Sequence, residues 1–126
     1  MHLLDTSVLI DVLRGSPTAT RWLASLEEVP LCSEVTRAEV LRGVRSAERA
    51  RTDRLLEALR WAPVDATISR RAGELGRAHR RSHRALGVAD LLIAATALTH
   101  GAELATGNVR HYPMFPELAP PYEGDS

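Results

Sequence analysis

Residues 2–13, with the sequence HLLDTSVLIDVL, combine a short apolar segment, an aspartate and a second apolar segment. The first segment, His2–Asp5, is typical of a short buried strand, and Val8–Leu13 is typical of an apolar helix that ends at Gly15. Asp5 and the two hydroxyl residues after it supply N-cap groups for that helix. The stretch therefore predicts a strand that leads directly into a helix and leaves a carboxylate at the end of the strand.

The same alternation of strands and helices continues along the chain. Further strand candidates are Pro30–Cys32, Trp61–Val64 and Glu103–Thr106. Strands separated by helices form a parallel sheet with helices on both faces, and sites form beyond the carboxyl ends of its strands. Helices are predicted over residues 16–26, 35–44, 48–59, 65–81 and 88–99.

The composition predicts a single globular domain, residues 1–126. The one cysteine, Cys32, cannot form an internal disulfide bond. All 16 basic residues are arginine, which excludes mechanisms that need a catalytic lysine. The first residues leave no room for the apolar core of a signal peptide, and the most apolar stretch, Val88–Leu98, is too short to span a bilayer. We therefore expect a soluble cytoplasmic protein that does not associate with membranes.

The formal net charge of zero hides an uneven distribution of charge. Residues 42–84 contain twelve arginines and five acids and so carry +7, whereas residues 1–41 carry −3 and residues 85–126 carry −4. A basic segment favours a polyanionic partner, although solvent-exposed helices rich in arginine have the same composition. The candidate phosphate contacts are the last four arginines of this segment: Arg77, Arg80, Arg81 and Arg84.

Three acids lie close to the predicted strand ends or helix starts. Asp5 closes the first strand, Glu39 follows the second strand between apolar helix positions, and Asp90 is the only charge in its apolar run. A carboxylate beside buried surface is costly unless it is paired or binds a metal. Thr106–Asn108 add oxygen groups after the fourth strand. Carboxylates without companion cysteines or histidines are typical ligands of a hard cation such as Mg²⁺.

Four segments resemble, in order and in spacing, the motifs of the PIN domain, and specifically those of VapC-type toxins of bacterial toxin–antitoxin pairs. The resemblance spans residues 3–112 and implies a three-layer α/β/α PIN-like fold with a central, mostly parallel sheet of four to five strands. The four segments are Leu3–Asp11, Thr36–Gly43, Ala89–Ala97 and Ala105–Tyr112.

The resemblance also implies an activity, that of a Mg²⁺- or Mn²⁺-dependent ribonuclease. Its catalytic and metal-binding acids would be Asp5, Glu39 and Asp90. Family members often have a further acid in the closing motif, where this chain has Asn108 and His111. Asn108 can offer an amide oxygen to a metal or to a metal-bound water, but it carries no charge. The supporting residues would be Thr6, Ser7, Thr106 and Asn108.

The implied partners are structured RNA, such as transfer-RNA or ribosomal loops, a small VapB-type antitoxin that blocks the acidic site, and a second copy of the chain. The basic segment, residues 42–84, would attract the RNA. Trp22, Leu23 and Leu26 are candidates for a dimer face, although packing in the core is the commoner fate of such side chains.

Other functions stay open from the sequence. A non-catalytic PIN module would bind RNA or protein, and a flap nuclease or exonuclease would use a similar acidic cluster on DNA. An aspartyl phosphatase is disfavoured, because it needs a second acid where Ser7 stands and a lysine that the chain lacks. His79 and His83 have the spacing of zinc ligands on a helix, but the glutamate of metalloproteases is missing between them.

Overall fold

The computed structural model describes residues 1–80 and 86–125. Strands and helices alternate as the sequence predicts, and the ends of each element lie within a few residues of those expected. Along the chain the elements are β1 (His2–Leu4), α1 (Thr6–Leu13), α2 (Pro17–Ala24), β2 (Leu31–Ser33), α3 (Glu34–Gly43), α4 (Arg49–Glu57), β3 (Arg60–Ala62), α5 (Ala66–His79), α6 (Val88–His100) and β4 (Glu103–Ala105), with short 3-10 turns at Ser46–Glu48 and Val109–His111.

The strands of the described residues form one sheet in the order β3-β2-β1-β4, and every pair of neighbours is parallel. The central strand β1 pairs on both sides, with Leu3 opposite Leu31 of β2 and Leu104 of β4. The predicted three-layer α/β/α fold is confirmed, and the sheet has four strands in this part of the chain.

Successive residues of each strand face opposite sides of the sheet, and helices cover both sides. Leu3 belongs to a buried cluster that includes Ile93 of α6. Leu4 belongs to a second buried cluster, with Leu9 of α1 and Val40 of α3. Because both faces are covered, neighbouring strand residues such as Leu3 and Leu4, or Leu104 and Ala105, are both apolar and buried.

Helix α6 is buried over most of its surface, which explains its nearly uninterrupted apolar sequence. Ile93, Ala94 and Ala95 have no exposed surface. The helix ends at Gly101, whose φ of 63° is the left-handed cap conformation that glycine adopts without a Cβ clash. Packing of the helix body in the core therefore fixes the position of Asp90 in its first turn.

The parallel arrangement places the carboxyl ends of all four strands at one edge of the sheet. Asp5 follows β1, Ser33 ends β2 and caps α3, and Thr106 follows β4. Since β1 lies between β2 and β4, the segments that follow these three strands are neighbours. The polar residues predicted to form a site are thus brought to the same edge.

The apolar residues of α2 are largely explained by packing within the chain. Trp22 and Leu23 lie partly buried against the cluster that contains Leu4, and the ring of Trp22 is 5.9 Å from that of Tyr122. Leu26 is half-buried. The proposed dimer through these residues stays a prediction.

No helix in residues 1–80 and 86–125 combines the length and the hydrophobicity that crossing a bilayer requires.

Ile93→Ala is expected to lower the free energy of unfolding by about 2–5 kcal/mol, because it leaves a cavity in the core beneath the sheet. Leu98→Ala on the same helix is the matched control: Leu98 is 40% exposed, and its loss should cost less than about 1 kcal/mol. Urea unfolding of both variants measures the difference. Equal losses of unfolding free energy in the two variants would contradict the burial of the Ile93 side of α6 in the core.

Candidate functional site

Asp5 is an almost completely buried carboxylate, 3% exposed, whose two oxygens are both occupied. Its Oδ1 accepts hydrogen bonds from the Thr6 amide and from the Tyr112 hydroxyl, each 2.9 Å long. Its Oδ2 accepts from Ser7 Oγ at 3.0 Å and from Thr106 Oγ1 at 2.6 Å. A carboxylate has about four acceptor positions, so these donors hold Asp5 in one orientation. Asp5 is therefore both the N-cap of α1 and a rigidly held carboxylate at the sheet edge.

Asp90 lies beside Asp5 and shares a hydrogen-bond donor with it. Its Oδ1 is 3.3 Å from the Tyr112 hydroxyl, and its Oδ2 is 3.1 Å from Nδ1 of His111. Burial raises the pKa of Asp90; His111 and the Tyr112 hydrogen bond oppose this effect, while the charges of Asp5 and Glu39 add to it. The three carboxylates are thus close enough for their negative charges to interact.

Glu39, in the middle of α3, points toward the start of α1. Its Oε1 accepts a 2.6 Å hydrogen bond from Thr6 Oγ1, and that hydroxyl oxygen lies 3.0 Å from Thr36 Oγ1. Thr6 therefore connects two acids of the site: its amide donates to Asp5, and its hydroxyl donates to Glu39. The orientation of Glu39 is consequently set by contacts with the other elements of the site.

A groove of about 550 Å³ at the sheet edge is lined by all three predicted acids, Asp5, Glu39 and Asp90. Within the described residues, no three or more histidine, cysteine or carboxylate side chains are grouped closely enough to hold a metal ion by themselves. The three acids therefore line one groove without surrounding a single point in it. The other polar residues that line it are Thr6, Ser7, Asp11, Arg14, Asn108 and His111.

The predicted supporting residues join the site in different ways. Ser7 and Thr106 donate to Asp5, and Thr106 Oγ1 also accepts a 2.9 Å hydrogen bond from the backbone amide of Asn108. Asn108 lines the groove, and its side chain carries an amide and no charge. The turn after β4 is thereby attached to the residues that follow β1.

Two of the four predicted phosphate-binding arginines lie within the described residues, and neither of them lines the groove. Arg77 lies on α5 and Arg80 directly follows it, and both are exposed. Arg81 and Arg84, and likewise His83 of the candidate zinc pair, lie outside the described residues. A role of the four arginines in RNA binding stays a prediction.

Sequence reasoning does not single out three polar residues of the site, Tyr112, Asp11 and Arg14. The spacing of Ser7, Asp11 and Arg14 places them on one face of α1, and this signal identifies Arg14 once Ser7 is known to face the site. Tyr112 carries no such signal, because it reaches Asp5 across 107 positions. Burial and the nearby carboxylates raise the pKa of Tyr112 far above its usual range, so its hydroxyl keeps its proton and donates.

The sequence profile described as the PIN domain matches residues 2–114. The chain belongs to the PIN-domain family. This PIN domain is 47% identical, over 126 residues, to Ribonuclease VapC19 of Mycobacterium tuberculosis, an alignment that covers 97% of this chain and 100% of that protein. It is 48% identical, over 124 residues, to Ribonuclease VapC10 of the same species, covering 97% of this chain and 93% of that protein.

Among solved structures, a toxin–antitoxin complex from Klebsiella pneumoniae contains a chain with the same fold. The TM-score is 0.84 at 28% sequence identity, and the match covers 98% of this chain and 99% of that chain. The resemblance to VapC-type PIN domains, inferred from the four sequence segments, is confirmed by both kinds of similarity.

Asp90→Asn is expected to stabilise the folded protein at neutral pH when divalent cations are absent. The pKa of Asp90 is raised on folding, so the folded state binds more protons than the unfolded state and loses stability as the pH rises. Asparagine does not ionise, so the variant does not lose stability in this way as the pH rises. Thermal unfolding with a chelator should give a higher Tm for the variant at neutral pH, and the difference should vanish below about pH 4.

Glu103→Gln is the matched control, because Glu103 is an exposed acid that also lies near a histidine, 3.5 Å from His2. It should leave the Tm nearly unchanged at neutral pH. A stabilisation by Asp90→Asn that persists in acid would contradict an origin in the charge of Asp90.

Proposed function

We propose that this PIN domain is a metal-dependent endoribonuclease toxin of a VapBC-type toxin–antitoxin pair. It hydrolyses phosphodiester bonds in structured RNA, such as transfer-RNA or ribosomal loops, and thereby inhibits translation and growth in the cytoplasm. The observation that carries the proposal is the pair of carboxylates, Asp5 and Asp90, held side by side in a groove that also contains Glu39. The ribonuclease names of the relatives VapC19 and VapC10 support the same activity.

The residues of the groove fit a hard divalent cation, Mg²⁺ or Mn²⁺. Asp5 and Asp90 would offer carboxylate oxygens, with Glu39 and Asn108 as further oxygen donors in the same groove, and oxygen ligands are those that these cations prefer. The open arrangement also fits, because Mg²⁺ keeps several waters and needs only a few protein ligands. Burial is the main cause of the raised pKa of Asp90, and the charges of Asp5 and Glu39 add to it, so a cation would offset both the lost hydration and the repulsion. Bound in the groove, the cation would supply a Lewis acid that activates water and neutralises charge on the phosphate.

Each acid has a role that follows from its surroundings. Asp5 and Asp90, fixed from several sides, would hold the cation directly. Glu39, oriented by the Thr6 hydroxyl, would either join them or position the attacking water. Asn108 would contribute oxygen without charge, so the groove has less negative charge than family members with a further acid in the closing motif.

Positively charged residues outside the groove would attract the phosphates of RNA toward it. The carboxylates repel phosphate, whereas residues 42–84 carry a net charge of +7. Within the groove, Arg14 offers a guanidinium that can form paired hydrogen bonds with a phosphate. The acids would then act on a phosphodiester that the arginines have attracted.

Asp5→Asn is expected to lower RNA cleavage by at least about 100-fold while the protein stays folded, because asparagine also serves as an N-cap but lacks the charge. The matched control is Asp65→Asn: Asp65 caps α5 through the Ile68 amide and lies away from the groove. Mapping of new RNA 5′ ends after brief expression measures cleavage for the wild type and both variants.

The same experiment separates the proposed ribonuclease from its alternatives. Cleavage that survives Asp5→Asn, or that needs no divalent cation, would contradict the assignment of the acids. A wild type that neither cleaves RNA nor slows growth would favour a non-catalytic PIN module. Parallel tests with RNA and DNA separate a ribonuclease from a DNA nuclease.

The proposed protein partner is a VapB-type antitoxin, and a second copy of the chain is the proposed dimer partner. The structural relative from Klebsiella pneumoniae belongs to a toxin–antitoxin complex, which supports the first proposal. An antitoxin arginine would pair well with the carboxylates of the groove. Expression of this chain should therefore slow growth, and expression of the cognate antitoxin should restore it.

Replacing Arg77 and Arg80 with glutamine is expected to weaken RNA binding and to reduce its salt dependence. The slope of log K against log salt concentration should become shallower by roughly 0.7 for each lost phosphate contact. Arg81 and Arg84 are neutralised in a second variant, and Arg21→Gln on α2 is the exposed control. Binding is measured over a range of salt concentrations in the Asp5→Asn background, which leaves the RNA intact. Slopes equal to that of the control would mean that these arginines are only solvated helix residues.

A further inference from the structure

The Tyr112 hydroxyl joins the two carboxylates at the centre of the groove. It is 2.9 Å from Oδ1 of Asp5 and 3.3 Å from Oδ1 of Asp90. The tyrosine is 1% exposed and packs in the core cluster with Leu3 and Ile93. Its single proton therefore lies between two like charges that come from different elements, the end of β1 and the first turn of α6.

The direction of this contact leaves the groove open to a ligand. In the described part of the chain, Asp5 and Asp90 line the groove but Tyr112 does not. The hydroxyl thus approaches the carboxylates from the core beneath them. A cation bound in the groove would therefore compete for Asp5 with Ser7, the hydroxyl donor to Asp5 that lines the groove, and not with Tyr112.

We propose that Tyr112 is a positioning residue, which holds Asp5 and Asp90 together at the separation and orientation that a divalent cation requires. This inference rests on the proposed function. Two ionised carboxylates repel each other, and a hydroxyl proton shared between them offsets that repulsion. Phenylalanine keeps the ring in the core but removes the proton, so Asp90 is no longer tied to Asp5.

Thr106 provides a comparison within the same site. It is fully buried, and its hydroxyl donates to Oδ2 of Asp5 at 2.6 Å, yet Asp90 is not among its hydrogen-bond partners within the described residues. Tyr112→Phe and Thr106→Val each remove one hydroxyl donor from Asp5. Tyr112→Phe also removes the link to Asp90, whereas Thr106→Val also removes the acceptor of the Asn108 amide. A larger loss in Tyr112→Phe, despite this second change in Thr106→Val, would therefore come from the link to Asp90.

The test measures cation affinity without RNA, by calorimetric titration of the full chain with Mn²⁺ and by the rise in Tm that Mn²⁺ produces. Tyr112→Phe is expected to weaken Mn²⁺ binding about 10- to 100-fold, the usual effect of removing a partner that orients a metal ligand. Thr106→Val should weaken it less. Thr96→Val is the matched control, because it removes a fully buried hydroxyl that donates to the Leu92 carbonyl within α6 and does not line the groove, and it should leave the affinity unchanged.

Wild-type affinity in Tyr112→Phe, or equal losses in Tyr112→Phe and Thr106→Val, would overturn this inference and leave the proposed ribonuclease standing. A wild type that binds no cation would overturn both. If Tyr112→Phe does not fold, NMR of the wild type decides: the buried Tyr112 hydroxyl proton should persist when Mg²⁺ is added, and its loss would mean that the cation replaces the tyrosine.

Discussion

The burial of the Asp5 carboxylate is the constraint around which the rest of this PIN domain is arranged. A buried charge is tolerated only when hydrogen bonds replace the water it has lost. Here the donors come from the start of α1, from Thr106 after β4 and from Tyr112 further along the chain. The charge thereby ties the closing segment of the chain to its first strand.

The second acid, Asp90, is held in an environment that disfavours its charge. Asp90 begins an apolar helix whose body is fixed in the core, so its carboxylate has little freedom to move away from Asp5. Burial and neighbouring charges raise its pKa, and the partners that offset them are His111 and Tyr112. Such a concentration of charge is unfavourable for folding alone and is typical of functional sites.

Most of the fold could be predicted from the sequence, because short apolar segments alternate with amphipathic helices and because capping residues mark where the helices start. Asp5, Ser16 and Asp65 each cap a helix where the pattern places one. Asp5 and Asp90 could be predicted as well, since one follows a strand and the other begins a helix of a parallel sheet. Glu39, in the middle of α3, is predicted through the resemblance of its segment to the second motif of the family. Tyr112 could not, because no local pattern indicates which distant aromatic residue will reach a strand end.

The sequence by itself determined the α/β alternation, the covered sheet and the choice of candidate acids, because hydrophobic periodicity and capping are local properties of the chain. Only the tertiary structure decided which donors hold Asp5, that Thr6 orients Glu39, and that one tyrosine hydroxyl lies between Asp5 and Asp90. These contacts join residues far apart in the chain. Their geometry depends on how the sheet and its helices pack, and a one-dimensional pattern does not encode that packing.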